Sequence, residues 1–174
     1  NHDIVRNSIT FKSASKSFSL SAMKCGWMFS ENAEYIAGVV ASGHSQDFNT
    51  LGMIASLAAY HEGEEWLSQL VEYIDGNHDF VESFVRANMP LVTVSKAQGT
   101  YLAWLGVSRV AEKIDAKEQA AEANKSRAAS MRPVTPETMV ERFLVKNAKV
   151  QINAGRSYGR AGADHIRMNN ATAR

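Results

Sequence analysis

The chain has 174 residues, a formal net charge of +1 and 45% apolar residues, so it is large enough to bury a core and its balanced charge creates no field toward polyanions. Basic residues are interleaved with acidic ones, without the cationic, aromatic-studded stripe that nucleic-acid binding needs, and no apolar run reaches membrane-spanning length. The single cysteine, Cys25, excludes an internal disulfide framework and makes a reducing compartment, cytoplasmic by default, the expected location. Cys25 lies in an apolar run and reads as a small packed hydrophobe. The histidines His2, His44, His61, His78 and His165 show no metal-ligand spacing and read as ordinary surface or loop residues, so no metal site is expected.

In chain order, Ile9 to Phe11 and Trp27 to Phe29 read as short strands. Between them the loop Ser13 to Gly26 carries small hydroxyl residues, then Lys16, an apolar stretch and a second cation, Lys24. From Thr50 to Tyr60, the residues Leu51, Met53, Ile54, Leu57 and Ala58 recur at helical spacing and predict a well-buried helix. A longer helix is predicted from about Glu64 to Asn88. Gly76 interrupts it at a cost of about 1 kcal/mol relative to alanine, so a bend or break is expected near Asp75 to Asn77. That point is the expected domain boundary, dividing residues 1–75 from 76–174.

The second region opens with strands at Leu91 to Val94 and Tyr101 to Leu105, and the aromatic and aliphatic run Gly99 to Leu105 (GTYLAWL) reads as core packing. Val107 to Met131 mixes both signs of charge with few large apolar residues, so it reads as a solvated helix with a frayed end, a charged helical insertion at about residues 107–134. Thr135 followed by Pro136 reads as an N-cap with proline at the first helical position, opening a helix through Met139, Val140, Phe143 and Leu144. A strand at Val150 to Asn153, a glycine-rich turn containing Tyr158 and Gly159, and a strand carrying Arg167 complete a small α/β domain.

The spacing of Ser13, Lys16 and Lys24 resembles the cofactor-attachment segment of the class I/II aminotransferase superfamily of fold-type I pyridoxal-phosphate enzymes. In that family the lysine holds the cofactor aldehyde as an imine, while a hydroxyl three residues before it and a cation eight residues after it bind the phosphate. The residue types suit the chemistry: a fixed phosphate calls for hydroxyls, a cation and free backbone N–H groups. The segment Asn153 to Arg174 resembles the family's closing segment, in which an aromatic-glycine pair, here Tyr158 and Gly159, precedes an arginine for the substrate α-carboxylate, here Arg167. Only a guanidinium presents a planar fork to a carboxylate, so arginine is the expected type. GTYLAWL and the run Glu65 to Asn77 resemble the cystathionine β-lyase-like branch. That branch usually has an acidic residue where Gly106 stands and a proline where Ala154 stands.

The resemblance covers essentially the whole chain. It implies an α/β fold, part of a fold-type I large domain followed by a small α/β domain. It also implies pyridoxal 5'-phosphate as cofactor, an amino-acid substrate and a homodimer in the full-length protein. Lys16 would also be the base at the substrate Cα, and the branch implies β-elimination of a cysteine thioether. The alternatives are a class I/II aminotransferase and a binding or regulatory module that keeps the fold without turnover. The family's aspartate partner for the pyridine nitrogen lies well upstream of the lysine, and Asp3 is too near Lys16 to be that residue. The chain is therefore expected to be the second half of a longer enzyme, with apolar surface exposed before Gly76.

Overall fold

The computed structural model describes residues 2–43 and 49–173; His44 lies outside them. The chain forms two compact units, Asn1–Val71 and Glu72–Arg174, and the division falls inside a helix. The fold is α/β in both.

The first unit contains α1 (His2–Arg6), β1 (Thr10–Lys12), β2 (Trp27–Phe29), α2 (Ala33–Ala41), α3 (Thr50–Glu62) and the first turns of α4 (Glu64–Asn88). β1 and β2 pair antiparallel, with Phe11 opposite Met28 and Lys12 opposite Trp27, and so clamp both ends of the Lys16 loop. Asparagine side chains start the helices: the Asn32 oxygen accepts from the Glu34 N–H, and that of Asn49 from the N–H groups of Leu51 and Gly52. Each satisfies backbone donors that a helix start leaves open.

α3 is not the well-buried helix that its spacing predicts. Leu51, Ile54 and Leu57 are 68%, 56% and 55% exposed, and the buried positions are Gly52 and Ser56. A two-stranded ribbon offers too little surface to cover an apolar helix face. What does pack is the small-residue side, since a Cβ on Gly52 would stand 2.8 Å from the Met23 carbonyl oxygen and 2.9 Å from the Cys25 Cβ. The backbone of α3 therefore rests directly on the loop that carries Lys24. Phe11 and Phe29 are exposed as well, so the apolar surface expected of this part of the chain is present.

α4 runs from Glu64 to Asn88 without interruption, and the break expected near Asp75 to Asn77 is absent. A penalty of about 1 kcal/mol for one glycine is small for a 25-residue amphipathic helix that buries Asn77, His78 and Val85. His78 is thus no surface histidine; its Nε2 lies 3.0 Å from the Thr100 carbonyl oxygen.

In the second unit β3 (Thr93–Ser95), β4 (Leu102–Gly106), β5 (Asn153–Ala154) and β6 (His165–Asn169) form an antiparallel sheet in the order β3-β4-β6-β5. Alternation on β4 and β6 sends Ala103, Leu105 and Ile166 into the core, where they meet Val85, Met139 and Val140. α5 (Ser108–Lys113) and α6 (Ala116–Lys125) occupy the stretch expected to be solvated. That expectation is corrected, because Val107, Ala116 and Ala120 are core residues. Alanines give no strong hydrophobic stripe, yet their small size lets a helix approach its neighbours closely, and Asn124 braces the connection with 2.8 Å bonds to both the N–H and the carbonyl of Val134.

α7 (Pro136–Phe143) begins as predicted, with the Thr135 hydroxyl accepting from the Thr138 N–H, and continues as a π turn through Leu144–Ala148. Glu137 in its first turn lies 3.7 Å from Arg156. Burial works against the Glu137 charge, but the Thr135 hydroxyl, its own backbone N–H and Arg156 outweigh it, so the carboxyl is held below its usual range. A carboxyl with its folded-state pKa below the unfolded value stabilises the fold above the unfolded pKa, and that contribution is lost as pH falls through the folded value. Glu137→Gln should therefore be less stable than wild type to urea at neutral pH, and the gap should close below about pH 4; a gap independent of pH would contradict this.

Candidate active site

The Lys16 loop leaves β1 at Ser13, whose Oγ donates to the Cys25 carbonyl oxygen at 2.8 Å and accepts from the Ser15 N–H at 3.0 Å. These bonds tie the start of the loop to its end. Ala14 is buried, and a bond from the Phe18 N–H to the Ala14 carbonyl closes one turn around Lys16 at 3.0 Å. Phe18 anchors that turn: its ring packs edge-on against Tyr60 at 5.4 Å and stacks on Trp66 at 6.0 Å. The Lys16 side chain is exposed on this anchored turn.

Lys24 follows a short 3-10 turn, Ser21–Met23, and adopts the left-handed conformation at φ 47°. That reversal brings the chain back into β2 and places Lys24 beside Ser13 on the wall of a cavity of about 1100 Å³, which Trp27, Met28, Tyr60 and Cys25 also line. The cavity thus unites two of the residues singled out in the sequence, Ser13 and Lys24. Lys16 stands on the adjoining turn rather than in the wall. Cys25 is half-buried there, neither a fully packed hydrophobe nor a surface thiol. The aromatic wall residues Trp27 and Tyr60, in edge contact at 5.3 Å, carried no motif that would mark them.

Arg167 belongs to the second unit. It sits in the middle of β6, opposite Trp104 on β4 and Asn153 on β5. Its guanidinium carbon lies 4.5 Å from the centroid of the Tyr158 ring, so the structure brings together the aromatic-glycine pair and the arginine named from sequence. The Arg167 Nε is buried and has no hydrogen-bond partner among the described residues. A buried N–H of this kind is costly unless something accepts from it.

The turn that carries Tyr158 is fixed by two glycines in mutual contact. A Cβ on Gly162 would come within 2.6 Å of the Gly155 carbonyl carbon, and one on Gly155 would meet the His165 carbonyl oxygen at 2.7 Å. Gly162→Ala must therefore move backbone rather than a side chain, and should cost about 1–3 kcal/mol while displacing Tyr158 from Arg167. Urea unfolding of the variant checks the cost; unchanged stability would show that the turn yields freely.

Two residues of this neighbourhood were not singled out as site residues. Trp104 belongs to a run that reads as core packing, but alternation puts Ala103 and Leu105 in the core and Trp104 on the other face. His165, read as a surface or loop residue, stacks on Trp104 with ring centroids 5.7 Å apart. The period-two pattern of HIRMN against LAWLG held that information. Among the described residues no group of three or more His, Cys, Asp or Glu side chains could hold a metal, and no helix is long and apolar enough to cross a membrane.

Comparison with known proteins extends this geometry. The model of the family described as aminotransferase class I and II matches residues 3–173. A protein of Mycobacterium tuberculosis is 30% identical over 171 residues, covering 97% of this chain and 40% of the relative. The cystathionine beta-lyase PatB of Bacillus subtilis is 23% identical over 171 residues, covering 96% and 38%. Among solved structures, a PLP-bound C-S lyase from Staphylococcus hominis superposes with a TM-score of 0.73 at 26% identity, covering 94% of this chain and 37% of that one. The chain spans about two fifths of the length of the curated relatives it matches. With the lysine turn, the Ser13 and Lys24 wall and the Tyr158–Arg167 pair embedded in a match of this extent, the chain belongs to the aminotransferase class I and II family.

Proposed function

We propose that the full-length protein is a pyridoxal 5'-phosphate-dependent carbon-sulfur lyase that eliminates the β-substituent of a cysteine thioether. The observation that carries the cofactor dependence is the lysine turn anchored beside a cavity whose wall presents Ser13 and Lys24, and the choice of elimination over amino transfer is supported by the similarity to cystathionine beta-lyases and a C-S lyase. A hydroxyl and an ammonium on one wall suit a phosphate, so the residues present fit the cofactor. Lys24 would hold its phosphate together with Ser13, whose hydroxyl would turn from the Cys25 carbonyl to donate to it; Lys16 would present the amine for its aldehyde, and Arg167 would grip the substrate α-carboxylate through its planar fork. The Lys16 amine would take the proton from the substrate Cα. The bound cofactor supplies the electron sink for the pair left behind.

Residues 1–75 then form the end of the cofactor-binding large domain and 76–174 the small domain. The exposed apolar side chains of α3 and β1 suit a covering by further chain or by a second subunit, the second being the homodimer that the family resemblance implies. A single cysteine suits a reducing, cytoplasmic setting.

Full-length protein with cofactor should release pyruvate, ammonia and a thiol from cystathionine with no keto acid present. The C–S bond breaks in that reaction, the sulfur leaves as a thiol, and water releases the nitrogen as ammonia. Amino transfer that requires a keto-acid acceptor, with no pyruvate from any thioether, would move the assignment to aminotransferase. Cofactor binding with no reaction of any amino acid would make it a binding module.

A further inference from the structure

The outer face of the β4–β6 pair carries a run of rings leading to Arg167. Trp104 is opposite Arg167 in the ladder, and Gly106 is opposite His165, so Trp104, His165 and Arg167 project from one face. The His165 Nδ1 lies 2.8 Å from the Ala163 carbonyl oxygen, which fixes the imidazole. Trp104 stacks on it with 19° between the ring planes. Tyr158 meets Trp104 edge-on at 6.0 Å and 70°, and Arg167 lies over the Tyr158 ring at 4.5 Å. Each member rests on one already held, down to the buried, unpartnered Arg167 Nε.

A guanidinium on a long side chain samples many rotamers unless something holds its plane. An aromatic face holds the cation by its ring, while the N–H groups around the guanidinium edge stay available for in-plane hydrogen bonds. We infer that Tyr158 and Trp104 are positioning residues that orient Arg167 toward a carboxylate, and so set the preference for ligands that carry one. The inference rests on the reading of Arg167 as the substrate-carboxylate residue. Tyr158 is half-exposed, so its replacement tests orientation without emptying the core.

The test uses full-length protein with cofactor and two simple probes, propionate and propylamine, with dissociation constants measured by ligand-observed NMR. Tyr158→Leu should weaken propionate binding roughly 3- to 30-fold and leave propylamine and pyridoxal-phosphate binding as in wild type. Tyr158→Phe keeps the ring face and should restore propionate affinity, while Trp104→Leu should share the selective loss. With an amino-acid substrate, KM should rise by a larger factor than kcat falls. Equal losses for both probes, or no loss in Tyr158→Leu, would overturn the inference. The titrations need no turnover, so a protein that converts no amino acid defeats the enzyme reading while the role of the rings is still decided by propionate.

Discussion

Lys16→Ala in the full-length protein should lower turnover of any amino-acid substrate by at least about 10³-fold, because a base positioned at the reacting carbon alone contributes roughly 10²–10⁴. The fold should survive. Lys16 is exposed, and its turn is held by Ala14, Phe18 and the Ser13 bonds rather than by the lysine itself. The circular dichroism spectrum and urea midpoint should thus match wild type while activity disappears. Turnover within a few-fold of wild type would exclude Lys16 as the base, whichever reaction the protein performs.

Arg167→Ala should act on a different term. Losing both arms of a bidentate carboxylate contact should reduce kcat/KM by about 10²-fold or more, with the loss largest for substrates that keep the α-carboxylate. Arg167→Lys retains the charge but not the fork, so it should recover only part of that loss. Full recovery by lysine would mean that charge alone matters at this position. Removing Arg167 also takes away the cation that faces Tyr158, so the alanine variant should bind propionate no better than a Tyr158→Leu protein does.

Much of this arrangement is legible in the sequence where local chemistry decides it. Trp27–Phe29, the span of α4 and the Thr135–Pro136 start of α7 stand at their predicted places, because strand alternation, long amphipathic periodicity and a capping residue are local signals. The contact between Tyr158 and Arg167 lies between two residues that the family motif names in sequence order. Other features depend on what each segment meets in space. The periodicity of α3 showed that it has an apolar face, but whether that face is covered depends on how much sheet lies against it. The run after Val107 looked solvated because Ala116 and Ala120 add little to a hydrophobic pattern, although they are buried. One glycine, Gly76, does not break a helix anchored by the buried Asn77, His78 and Val85. The meeting of Ser13 with Lys24 on one cavity wall depends on the left-handed turn at Lys24, a conformation that a lysine does not announce.

Every proposed role in the reaction depends on Lys16 being the residue that engages the cofactor. The most direct measurement is borohydride reduction of the full-length protein loaded with pyridoxal phosphate, followed by proteolysis and mass mapping of the fixed pyridoxyl group. One adduct is expected, on the peptide carrying Lys16, and none in Lys16→Ala; an adduct on Lys24 or any other lysine, or no adduct at all, would contradict the role of Lys16.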